Sequence, residues 1–304
     1  MQVINDMIGA LGVKLVKSTV GMKPETRNRF ARALGWVFWY AVPKRRKIAL
    51  RNLELCFTEK TADERLKIAK KLCFNIARSA FDHGDLWAGS VEQVRSLVRI
   101  EGLENITREA GHPLLVIAPH FIGLDAAVTA LATHVQGAGL YQRQKNAAWN
   151  KAALEGRERF SHSVLVEKTG PGDVKKIIRL IRQNLPFYYL PDMDYGRSHS
   201  EFIDFFGVPA ATVPTASKLA RITGAKVVFC VTEMTETGYI IECRIDSAAF
   251  AKPLENFPTT DAIADTRRIQ KEIERWVLQF PDQYFWMHRR FKTRPLGEKS
   301  LYEP

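Results

Sequence analysis

Five consecutive apolar residues, Leu114, Leu115, Val116, Ile117 and Ala118, lead through Pro119 to His120 and constrain the fold more than any other segment. A run this short and apolar on both sides suits a strand buried on both faces, as in parallel sheets covered by helices. Ala126, Ala127, Val128, Ala130, Leu131 and Ala132 then suit a helix. The alternation continues, with strands expected at 114–118, 138–141, 164–166 and 187–190 and helices at 123–134, 147–159 and 173–184. Strands at 225–232 and 239–245, joined around Thr237 and Gly238, precede a helix at 261–279 stopped by Pro281. Thr61 and Glu64 form a capping box for an earlier long helix running through Phe81. The pattern predicts an α/β fold: a largely parallel central sheet with helices on both faces and ligands at the carboxyl ends of its strands. No internal repeat or linker is visible, so the simplest division is an N-terminal helical segment, 1–50, and one α/β domain, 51–304.

His120 stands at such a strand end, five positions before Asp125. On a continuous helix five residues turn through roughly 500°, leaving the side chains about 140° apart. A loop flexed at Gly123 lets them meet instead. Asp125 then accepts from one imidazole nitrogen and fixes the tautomer, and the other nitrogen removes a proton from a substrate hydroxyl. Spacing alone does not establish this. With 7 histidines and 33 acidic residues in 304, about 0.8 such pairs arise by chance, yet the chain has three. His162 with Glu167 lies in an alternating stretch and His199 with Asp204 in a polar turn; neither follows a buried strand and opens a helix. The competing reading of the first pair is a helix-capping Asp beside an incidental His.

The net charge of +12 and pI near 9.6 call for an acidic partner: phosphorylated lipid, anionic bilayer, acidic protein or nucleic acid. The basic residues are scattered and carry no nucleic-acid-binding signature, which argues against the last of these. Cys56, Cys73, Cys230 and Cys243 have no metal spacing and suit buried reduced thiols. The start lacks the pattern of a cleavable signal peptide. The stretch 7–22 is interrupted by Lys14 and Lys17, and the aromatic stretch 33–43 falls short of the roughly 20 residues a bilayer span needs. Trp36, Phe38, Trp39 and Tyr40, followed by Lys44, Arg45, Arg46 and Lys47, suit either an interfacial helix on an anionic leaflet or a packed helix beside a solvated charge run.

Further candidates lie downstream. Arg157 and Arg159 can grip an oxyanion or a phosphate, or form a solvated helix end. Asp192 and Asp194 can orient an arginine or a substrate hydroxyl, or serve only a turn before Gly196; two aspartates are too few for a metal. Arg289, Arg290, Lys292 and Arg294 can meet phosphate or an acidic protein, or form a solvated face. Arg143 and Lys145 carry the same ambiguity, and Trp286 and Phe285 read as core anchors.

The tail Pro281-Asp-Gln-Tyr-Phe-Trp-Met-His-Arg-Arg-Phe-Lys-Thr-Arg-Pro-Leu-Gly-Glu, with Pro191-Asp-Met-Asp-Tyr-Gly and the His120 to Asp125 box, resembles the late acyltransferases of lipid A biosynthesis. The resemblance runs from Arg51-Asn-Leu-Glu-Leu-Cys-Phe through Gly156-Arg-Glu-Arg-Phe to Ser300-Leu-Tyr. It implies a glycerolipid-acyltransferase-like fold and acyl transfer from acyl carrier protein to a hydroxyl on a 3-hydroxyacyl chain of a lipid A precursor. The expected place is the cytoplasmic face of a Gram-negative inner membrane. The acidic carrier protein, the precursor's phosphates and the anionic leaflet then become partners for the positive charge, with His120 and Asp125 as the family's His-x4-acid box. No cofactor beyond the thioester co-substrate is implied. Many lipid A members carry Glu where Asp125 stands, and the related glycerolipid acyltransferases favour Asp, so a lysophosphatidate-type acceptor is the alternative.

Overall fold

A computed structural model of the chain describes residues 2–107, 111–170, 172–244 and 257–302. Four helices come first: α1 (Gln2–Lys17), α2 (Pro24–Ala41), α3 (Pro43–Cys56) and α4 (Ala62–Ala88). A short α5 (Val91–Leu97) leads into β1 (Val98–Glu101) and the single turn α6 (Glu104–Thr107). Alternation follows, through β2 (Leu114–Ile117), α7 (Leu124–Ala132), β3 (Ala138–Tyr141), α8 (Ala147–Glu158), β4 (Val164–Glu167), α9 (Asp173–Arg182) and β5 (Phe187–Tyr189). β6 (Glu201–Phe205) and β7 (Val208–Thr212) pair as a separate hairpin, before α10 (Thr215–Thr223), β8 (Lys226–Met234), β9 (Tyr239–Arg244) and α11 (Ala262–Gln279).

Seven strands form one sheet in the order β1-β9-β8-β2-β5-β3-β4. The five from β8 to β4 are mutually parallel, and β9 turns back antiparallel beside β8. The expected α/β architecture and its largely parallel sheet are therefore present. Ile245, expected at the end of the last strand, lies outside the described residues. All four residues of β2 are buried. Leu115 and Ile117 face a core that includes Ile177, Leu219 and Ile273 from α9, α10 and α11; Leu114 and Val116 face a second core with Leu86, Ala127 and Leu131 from α4 and α7. The fully apolar run is thus the signature of helices on both sheet faces.

The Thr61–Glu64 capping box opens α4 as expected, but the helix continues to Ala88, two turns past Phe81. Its last turns look polar because they bury charge. Arg27 of α2, 4% exposed, donates to Asp82 at 2.5 Å and to Asp85 at 2.6 Å. Tyr239 donates to Asp82 at 2.5 Å, and the Gly21 amide donates to Asp85 at 2.7 Å. This network fastens the first two helices to α4. The boundary expected near residue 50 falls inside α3, whose Asn52 donates to the carbonyls of Trp286 and His288 at 2.7 and 2.8 Å. Replacing Arg27 with Ala leaves buried Asp85 without its cation and Asp82 with only the longer contact to Arg78 at 3.6 Å, a loss of about 3–5 kcal/mol. Urea unfolding of Arg27→Ala measures it, and an unchanged midpoint contradicts the network's role.

Candidate active site

The register of β2 against β5 builds the centre of the site. Ile117 lies opposite Tyr189. Three residues on from each, the chain places His120 opposite Asp192. Asp192, fully buried, takes the His120 backbone amide on Oδ2 at 2.8 Å and faces Nδ1 of the ring with Oδ1 at 2.7 Å. Burial pushes the Asp192 carboxyl up, but the charge and the two hydrogen bonds of His120 outweigh it and hold the group at about 2. An ionised carboxylate only accepts, so the proton sits on Nδ1 and the lone pair on Nε2. The tail clamps the same loop: the Phe285 amide donates to the His120 carbonyl and the Ile122 amide to the Gln283 carbonyl, both at 2.9 Å. His288 stands nearby, donating from Nδ1 to the Phe285 carbonyl at 3.1 Å, with burial pushing its pKa down to about 4.

Asp125 does not orient His120. It sits in the first turn of α7 and faces α8 and α4, where Arg157 donates to its Oδ1 from Nε at 2.8 Å and Nη2 at 2.6 Å. His83 of α4 approaches Oδ2 with Nε2 at 3.3 Å and places Nδ1 2.5 Å from the Ser79 carbonyl. Burial raises the Asp125 pKa, but Arg157 and His83 more than reverse this and hold it well below the usual carboxylate range. Both partners of His83 are acceptors, an arrangement that favours the imidazolium, the form in which both nitrogens donate. Burial alone lowers the His83 pKa; Asp125 and Ser79 reverse the sign and raise it. Gly123 has φ −80°, so it is needed for space rather than flexibility: a Cβ there meets Thr232 Cγ2 at 2.5 Å.

Most of the other candidate cations and carboxylates serve the framework. Arg159 donates to the Leu86 carbonyl at 3.1 Å and to the Gly89 carbonyl, closing the end of α4. Arg290 is buried on the Ala211 carbonyl and Thr212 hydroxyl, at 2.9 and 2.6 Å. Asp194 accepts from the Thr293 amide and hydroxyl and the Gly196 amide, tying its loop to the tail. Arg289 is exposed over the Tyr302 ring, and Arg294 is buried on the Pro209 carbonyl. Arg157 alone of these arginines reaches the His120 region, and its fork is spent on Asp125. Trp286 is a core anchor as expected, whereas Phe285 lines the cavity beside His120. His83 escaped the sequence reading because the polar stretch 82–85 hides its helix.

Two apolar cavities meet at His120. One, of about 420 Å³, is bounded by Val16, Ile76, Trp87 and Trp149 and contains His83 and Asp125. The other, of about 460 Å³, runs between Leu140, Ile177, Tyr188, Tyr189 and Tyr195.

The family of bacterial lipid A biosynthesis acyltransferases matches residues 2–293. The chain belongs to that family. This lipid A acyltransferase is 30% identical over 265 residues to the lipid A biosynthesis palmitoleoyltransferase of Escherichia coli K12, covering 85% of this chain and 82% of the relative. It is 29% identical over 295 residues to the lauroyltransferase of the same organism, covering 96% and 94%. A solved 1-acyl-sn-glycerophosphate acyltransferase from Thermotoga maritima superposes with a TM-score of 0.39 at 14% identity, over 93% of this chain and 99% of that one.

The imidazolium of His83 gives the lipid A acyltransferase a pH dependence of known sign. Its folded pKa is raised, so its stabilisation is complete below the ordinary value of about 6.5 and fades as pH rises through the folded value. The stability gap between wild type and His83→Gln is expected to be widest below about pH 6.5 and to narrow as pH rises above it. Thermal unfolding across that range checks it; a constant gap contradicts a charged ring.

Proposed function

We propose that the enzyme moves a fatty acyl chain from an acyl carrier protein thioester to the hydroxyl of a 3-hydroxyacyl chain on a lipid A precursor. His120 is the general base and Asp192 its orienting carboxylate. The observation that carries this reading is the doubly hydrogen-bonded His120–Asp192 pair in the wall shared by two apolar cavities. A reaction that joins two lipid chains needs a base at such a junction. Nε2 takes the hydroxyl proton as the oxygen attacks the thioester carbonyl, and Asp192 stabilises the imidazolium that results. The carbon–sulfur bond then breaks, and the proton passes to the departing thiolate, leaving an ester and a free carrier thiol. Asp125, between Arg157 and the imidazolium of His83, leaves that wall with one surplus positive charge, which favours the developing oxyanion.

The same reading places the enzyme on the cytoplasmic face of the inner membrane. Among the described residues, no helix is long and apolar enough to cross a bilayer. Met7, Ile8, Leu11 and Leu15 on α1 and Phe30, Trp36 and Val37 on α2 are nonetheless exposed, a surface suited to lying on an anionic leaflet. The acidic carrier protein, the precursor's phosphates and the leaflet are the partners that the +12 charge favours.

Mass spectrometry of products from the purified enzyme, carrier thioesters and a tetra-acylated precursor tests the reaction. A mass gain matching one donor is expected. His120→Ala and Asp192→Asn are each expected to lower turnover on the order of 10²-fold or more. Asp125→Asn is expected to cost less than Asp192→Asn; the reverse order returns the orienting role to Asp125.

A further inference from the structure

The cleft between α2 and α4 collects positive charge that the acyl-transfer site does not use. α2 presents Arg32, Trp36, Trp39 and Tyr40 on one face, and α4 answers with Lys67 and Lys70; together they line a cleft of about 430 Å³. The helices touch at its base, where a Cβ on Gly35 meets Phe74 Cα at 2.9 Å. No carboxylate lines the cleft. Lys71 at the rim leans on Asp282 at 3.5 Å. Arg32, Lys67 and Lys70 form no ion pair among the described residues, and Glu64, one turn before Lys67, is spent on its capping box. Lys70 instead rests on an aromatic ring, its Nζ 5.9 Å from the Trp39 centroid, a ring that Arg46 approaches at 5.1 Å from outside the cleft.

We propose that this cleft binds the phosphate headgroup of an anionic membrane phospholipid. Arg32, Lys67 and Lys70 repel each other around one opening, and a phosphate that enters relieves that repulsion and offers acceptors to them. The surroundings favour a lipid as its bearer. Trp36 and Tyr40 are 67% and 59% exposed at the cleft mouth, beside the exposed Val37 and Leu34. Amphipathic aromatics of this kind settle at headgroup depth. Along α4 the centre of the lysine cluster lies about 11 Å from Ile76, the nearest residue of that helix lining the His120 cavity, and about 22 Å from His83, so the cleft is separate from the acceptor's reacting end. Binding there seats α2 on the leaflet, and the Arg27–Asp82 pair ties α2 to α4 next to His83.

This inference rests on the leaflet-bound reading above, and one experiment separates the two. The full chain is sedimented with phosphatidylcholine vesicles containing or lacking phosphatidylglycerol. Three proteins are compared: wild type, Lys67→Gln/Lys70→Gln, and Lys175→Gln/Lys218→Gln, which removes equal charge from other helices. The first pair is expected to lose roughly tenfold or more of the affinity for anionic vesicles, and the control pair less than about twofold. Acyl transfer to detergent-dispersed acceptor is expected to match wild type in both. Equal losses in the two pairs mean that only net charge matters and overturn the cleft. Unchanged vesicle binding in Lys67→Gln/Lys70→Gln, with loss of carrier-protein binding instead, assigns the cleft to a protein and also overturns it. Displacement of wild type from vesicles by inorganic phosphate, but not by chloride of equal ionic strength, is expected; indifference to phosphate counts against a headgroup site. If wild type ignores anionic vesicles altogether, the leaflet-bound reading itself fails.

Discussion

The pairing of β2 with β5 is the constraint on which the site depends. Because Ile117 and Tyr189 are opposite each other, equal three-residue extensions carry His120 and Asp192 to the same point beyond the sheet. A slip of one residue turns every side chain of a strand to the other face. The cores on both faces of β2 forbid that slip, so the same burial that stabilises the sheet also fixes His120 against its carboxylate. The tail secures the arrangement from outside through the backbone bonds of Gln283 and Phe285 to the His120 loop.

Charge is distributed in two tiers. Asp192 is fully buried and fixes one tautomer of one ring. Asp125, partly exposed, instead gathers two cations from different helices, drawing α4, α7 and α8 around one cavity. Buried arginines such as Arg27 and Arg290 extend this pattern away from the chemistry, where each satisfies backbone or carboxylate oxygens that the fold buries. These arginines are spent inside the fold and are not free to meet a partner.

The α/β alternation, the long capped helix and the position of His120 were legible from periodicity and capping chemistry. The partner of His120 was not. The chain neighbour Asp125 offered itself at a suggestive interval, whereas Asp192, 72 residues away, becomes a neighbour only through strand order. His83 was hidden for a related reason: the stretch 82–85 is polar because it is buried against Arg27, and buried charge imitates a surface turn. The arginines of the tail misled in the same way, since Arg290 is charged in order to satisfy carbonyl and hydroxyl oxygens, not to meet solvent or substrate.

The central claim is that Asp192 holds His120 with its proton on Nδ1 and its lone pair on Nε2. Nitrogen-15 NMR of histidine-labelled enzyme, with His120 assigned by difference from His120→Gln, reads this directly at a pH where the ring is neutral. The account predicts a protonated Nδ1 and a bare Nε2 in wild type and in Asp125→Asn, and a mixed population in Asp192→Asn. A bare Nδ1 in wild type, or a tautomer that shifts with Asp125 and not with Asp192, contradicts it.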